Sequence, residues 1–97
     1  MATLHVVSSS PFADSRLESC LRTLGAEDAL LLCGEAVQAL RGASTVAQQL
    51  LALPTPQLYA LEEDCQARGL AVTQANQVDY AGFVELALAY QRVNTWL

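Results

Sequence analysis

Asp28-Ala29-Leu30-Leu31-Leu32-Cys33-Gly34 decides the fold, because five consecutive apolar residues stand there between a charge and a glycine. A strand with one face in water alternates apolar and polar side chains, since successive residues point to opposite sides of the sheet. This run does not alternate. It predicts a strand buried on both faces, the usual state in a parallel sheet covered by helices. Outward from it toward the N-terminus, Leu4-His5-Val6-Val7 reads as a first short strand, stopped by Ser8-Ser9-Ser10-Pro11. From Ala13 onward, Leu17, Cys20, Leu21 and Leu24 recur at i, i+3, i+4 and i+7 with Gly25 after them, so a helix is predicted over Ala13 to Leu24.

On the other side of Gly34, Glu35 to Leu40 can form a short helix broken by Arg41-Gly42. Thr45 to Leu53 offers a further helical or irregular stretch that Pro54 and Pro56 end. Gln57 to Leu61 reads as a third strand, Glu62 to Arg68 as a helix with an acidic first turn running into Gly69, and Leu70-Ala71-Val72 as a short fourth strand. Asp79 stands where a last helix wants its N-cap, Tyr80, Phe83, Val84, Ala87 and Leu88 follow on one helical face, and Val93 to Leu97 reads as a terminal edge strand. Strands alternating with short helices predict a single α/β domain over residues 1–97, a three-layer sandwich around an open, mostly parallel sheet.

Composition limits what such a domain does. Of its 97 residues 53% are hydrophobic and 15% charged, more apolar surface than one small core absorbs. An association surface is therefore expected. The chain has no lysine, and Arg16, Arg22, Arg41, Arg68 and Arg92 are scattered singly within a net charge of -5. Gripping phosphates takes clustered cations, so direct binding of nucleic acid is not expected. The N-terminus lacks a positive segment with a long apolar run behind it, and nothing approaches the length that spans a bilayer, so a cytoplasmic protein is expected. Three cysteines without a CxxC pair suggest neither a disulfide framework nor a zinc site.

Sulfur carriage needs a thiolate, hence access and electrostatic help. Cys20 is the first candidate, with Arg16 one turn before it, although it also lies on the apolar stripe with Leu17 and Leu21. Cys33 ends a predicted parallel strand, where ligands of open α/β folds gather, and Cys65 reads as packing on a helix face. His5, the only histidine, is either a base near a thiol or a hydrogen-bonded structural residue. Ser8-Ser9-Ser10 is either an anion cradle at a helix start, as in a small anion- or nucleotide-binding module, or an ordinary Ser-Pro turn. Glu62-Glu63-Asp64 reads as a solvated first helical turn. No GxGxxG, Walker-type loop, GxSxG or paired metal ligands occur, so no cofactor or metal is implied.

Four segments resemble the DsrH/TusB family of sulfur-relay proteins: Leu4-His5 opening strand one, Ser10-Pro11-Phe12 before the first helix, Arg68-Gly69-Leu70, and the run Val78-Asp79-Tyr80-Ala81-Gly82-Phe83-Val84 with terminal Trp96-Leu97. The resemblance runs nearly end to end. It implies a DsrE-like fold and assembly with two related small subunits, TusC-like and TusD-like (or DsrF-like and DsrE-like), into a heterohexamer holding two copies of each. It also implies transfer of persulfide sulfur, in one branch toward 2-thiouridine at the tRNA wobble position, in the other within dissimilatory sulfur oxidation. The principal persulfide cysteine of such complexes belongs to the DsrE/TusD-like partner, so the expected role is a non-catalytic or accessory subunit, with tRNA thiolation as the first reading. Leu17-Glu18-Ser19-Cys20-Leu21 resembles the members that keep a cysteine in helix one, which makes Cys20 the candidate accessory sulfur site. An independent sulfurtransferase acting through Cys20 is the remaining alternative.

Overall fold

The chain is described from a computed structural model over residues 2–10, 15–40, 48–50, 52–53, 58–70 and 75–96. Strand β1 is Thr3–Val7, helix α1 Arg16–Thr23, β2 Ala29–Leu32, then a 3-10 helix Gly34–Leu40, β3 Leu58–Leu61, α2 Glu62–Ala67, β4 Asn76–Val78, α3 Tyr80–Ala89 and β5 Arg92–Trp96. The sheet order is β4-β3-β2-β1-β5, and every pairing is parallel. The decisive run forms β2 as expected, with all four of its residues buried.

Alternation along the strands sorts the core into two clusters. Val7, Leu30, Leu32, Leu58 and Ala60 face α1, the 3-10 helix and α2, through Leu17, Cys20, Val37, Leu40 and Cys65. Leu4, Val6, Ala29 and Leu31 face the other way, toward Phe83, Leu86, Ala87 and Tyr90 at the α3 end of the chain. The first three crossovers step in one direction across the sheet and the last returns, so a constant crossover hand puts α3 alone on its own side. The result is the expected three-layer sandwich.

Local chemistry ends each element where it ends. Gly69, at φ +66, takes the left-handed turn that closes α2, and the Leu70 amide returns to the Cys65 carbonyl at 2.9 Å. Asp79 caps α3 by accepting from the Gly82 amide at 2.8 Å. A Cβ on Gly82 would come within 3.1 Å of the Val78 Cβ, so this first turn is tight enough to favour glycine.

Three sequence readings are adjusted. Helix α1 begins at Arg16 within the described residues, Ala13 and Asp14 lying outside them. Of the stretch predicted over 45–53, residues 48–50 are helical, and 45–47 and 51 lie outside the described residues. The fourth strand is Asn76–Val78, whereas Leu70 of the predicted Leu70-Ala71-Val72 strand belongs to the α2 cap and the other two residues lie outside the described ones.

Leu31 is fully buried in the central strand and faces the α3 layer. Leu31→Ala is expected to lower the unfolding free energy by about 2–5 kcal/mol, read from urea midpoints at unchanged m-value. A loss below about 1 kcal/mol would mean that this layer is not packed as described.

Candidate functional site

His5 sits in the middle of β1 on the same face as Val7, and Trp96 pairs with Val7 in register, so the last strand brings an indole beside the imidazole. The Trp96 Nε1–H donates to His5 Nδ1 at 3.1 Å, across 91 residues of chain. An indole N–H only donates, so Nδ1 accepts and the ring proton belongs on Nε2, which lies 3.2 Å from Asp28 Oδ2. Asp28 also accepts from the Thr3 amide at 3.0 Å and the Gly25 amide at 2.9 Å. Burial pushes the Asp28 carboxyl up, but the Gly25 and Thr3 amides and the His5 ring outweigh it and hold it below its ordinary value. Both nitrogens of His5 are thus engaged, and the ring is a structural link rather than a base beside a thiol. Thr3, Thr23, Arg92 and Asn94 complete a polar cleft over this link.

The three cysteines do not come together as a reaction centre. Cys20 is fully buried on α1, and burial, then the Asp28 charge, pushes its thiol up to about 12. The thiol form is strongly favoured at neutral pH. Cys65 is also fully buried, and burial and Asp64 raise it against the opposing effect of Arg68. Cys33 is half-buried just past β2, its Sγ–H directed at the Val7 carbonyl at 3.7 Å, and burial and then Asp64 raise it too. Among the described residues no cation outweighs the burial of any of the three thiols, Arg68 only opposing the rise at Cys65.

At the carboxyl ends of β2 and β3 the acidic turn is more than a solvated surface. Asp64 accepts from the Gly34 amide at 2.6 Å, starting the 3-10 helix, and Arg68 ties Glu35 at 2.7 Å and the Asp64 carbonyl at 3.1 Å. The Ser8-Ser9-Ser10 loop leaves β1 between β2 and β5, where the strand order switches direction. Gly34, at φ +54, packs against it closely enough that a Cβ would lie 3.3 Å from the Ser8 carbonyl oxygen. Pro11 to Asp14, which would complete an anion cradle, lie outside the described residues. Among the described residues no group of three or more His, Cys, Asp and Glu could hold a metal ion, and no helix is long and apolar enough to cross a membrane.

Helix α3 carries the feature that periodicity did not resolve. Phe83 and Ala87 of the predicted face do pack on the sheet, joined by Leu86 and Tyr90, but Tyr80, Val84 and Leu88 point away from it. Their exposures are 58%, 57% and 82%, and Val93 of β5 adds a fourth exposed apolar side chain. The spacing i, i+4, i+8 makes one outward stripe. The surplus apolar surface expected from composition is found here.

The His5 link sets an acid limit on stability. A carboxyl held low in the folded state stabilises the fold above its unfolded pKa, about 3.9, and that contribution is lost as pH falls through the folded value. Asp28→Asn is expected to cost about 1–3 kcal/mol at pH 7 and to flatten the acid limb of a stability-pH profile. An unchanged acid limb in the variant would remove Asp28 from this role.

Comparison with known proteins places these features. Residues 9–93 match the family described as DsrH like protein. Among curated relatives, the Protein TusB of Erwinia tasmaniensis is 36% identical over 96 residues, covering 96% of this chain and 99% of the relative. The Protein TusB of Pectobacterium parmentieri is 34% identical over the same coverage. The crystal structure of the ychN protein from E. coli superposes with a TM-score of 0.73 over 98% of this chain and 99% of that one, at 18% identity, which supports the DsrE-like α/β fold. With the family match spanning most of the chain and full-length relatives above the level where chance similarity is a concern, this protein belongs to the DsrH family.

Proposed function

We propose that this chain is a TusB-type subunit of a cytoplasmic sulfur-relay complex, in which it docks and orients TusC-like and TusD-like companions that pass persulfide sulfur toward 2-thiouridine at the tRNA wobble position. The observation that carries the reading is the pairing of two fully buried thiols and one half-buried one with an open apolar helix. Persulfide transfer requires a thiolate to attack the terminal sulfur of a donor persulfide and expel the donor's own thiolate. Cys20, Cys33 and Cys65 all have raised pKa values, and two of them are fully buried. These features support a relay thiol on a companion and a packing role for Cys20. The acidic, lysine-free composition supports leaving the RNA to another subunit.

Two measurements test this. Co-expressed with both companions, the chain should elute with them as one stoichiometric complex on size exclusion, and a monomer that ignores them would defeat the proposal. In the folded complex Cys20 should react with iodoacetamide at least about 100-fold more slowly than in the urea-unfolded chain, as a buried thiol does. Rapid alkylation, or a persulfide on Cys20 detected by mass spectrometry, would return it to the role of accessory sulfur carrier.

A further inference from the structure

A ten-residue helix that closes one face of a sheet usually shows water a polar back. Helix α3 has eight apolar residues and Gly82, and Glu85 is its single charge. Its outward residues Tyr80, Ala81, Val84, Glu85, Leu88 and Ala89 are all exposed. Ordering such a stripe against water costs solvation that folding of this chain does not recover, and a partner's surface recovers it.

The geometry points to one class of occupant. We infer that the outer face of α3 docks a different polypeptide that presents an apolar face carrying a Lys or Arg opposite Glu85. This rests on the subunit reading above and names the surface and its complement. Symmetry argues against a second copy of this chain. Val84 and Glu85 lie at the middle of Tyr80–Ala89, so a two-fold axis through the stripe sets Glu85 beside Glu85 when the helices pair antiparallel, and sets each Glu85 on an opposite flank, across from the apolar side chains of the other copy, when they pair parallel. In either case a carboxylate would lose water without meeting a cation, between bodies that each carry a net charge of -5. A cation on a heterologous partner turns the same glutamate into a register pin.

The experiment uses the full chain with its two companion subunits. Leu88→Glu and Val84→Glu replace side chains that are 82% and 57% exposed, so each variant should keep the wild-type circular dichroism spectrum and urea midpoint. Each is expected to weaken the complex at least about 30-fold, the scale of a central interface residue. Glu85→Lys should weaken it about 10-fold and reverse its salt dependence, wild-type binding falling as salt rises and variant binding recovering. Glu18→Gln on α1 should leave affinity unchanged. If both glutamate variants bind like wild type, the docking face is elsewhere and the subunit reading stands. If wild type alone forms a dimer that Leu88→Glu dissociates, a second copy is the occupant and the inference is overturned. If the wild-type chain binds neither companion, both proposals fall together.

Discussion

The chain has to return across its own sheet. Strands β4 and β5 lie at opposite edges, so the connection through α3 crosses every strand between them and supplies the cover for that entire face. The other face receives α1, the 3-10 helix and α2. This asymmetry sets how the molecule divides its apolar residues. The inward side of α3 must be apolar to bury Leu4, Val6, Ala29 and Leu31, whereas nothing in the fold requires its outward side to be so. The apolar character of Tyr80, Val84 and Leu88 is therefore not explained by the packing of this chain on itself.

The same return explains why the last strand needs a specific anchor. Arg92 to Thr95 are all exposed, so β5 gains little from burial and is held by its ladder to β1 and by Trp96. The indole packs on the core beneath α1 and gives its N–H to His5, whose other nitrogen reaches Asp28 just before β2. Three strands are thereby joined by one chain of hydrogen bonds. Buried polar groups are costly unless every partner is in place, so the network favours this register of β5 over a slipped one, in which the indole would lose its acceptor. A histidine that the sequence offers as a candidate base thus serves the topology instead.

What the residues disclosed in advance follows from what each signal measures. The unbroken run Ala29 to Cys33 reports burial on two faces, and that alone entails a parallel sheet with helices on both sides. Asp79 and Gly69 were legible because caps depend on a few neighbouring atoms. Strand β4 was not, because Asn76-Gln77-Val78 is a short polar edge strand without an apolar signal, while Leu70 is apolar for the sake of the α2 cap and the core beneath it. In α3 periodicity found the helix but mixed its faces, since a helix apolar nearly all round has no contrast to read. Cys20 was ambiguous for a related reason: a thiol on an apolar stripe is either packed or reactive, and only its burial beside the Asp28 charge decides its ionisation.

Several described residues of the segments that carry the family resemblance are parts of the scaffold. His5 and Trp96 meet each other directly, Arg68 and Gly69 clamp and end α2, and Val78, Asp79 and Gly82 build the first turn of α3. Alongside these links, burial raises the pKa of all three thiols, Cys20 and Cys65 fully buried and Cys33 half-buried. What the fold itself sets is geometry: a parallel sheet that fixes the direction of α3, and on that helix an exposed apolar stripe with Glu85 as its single charge.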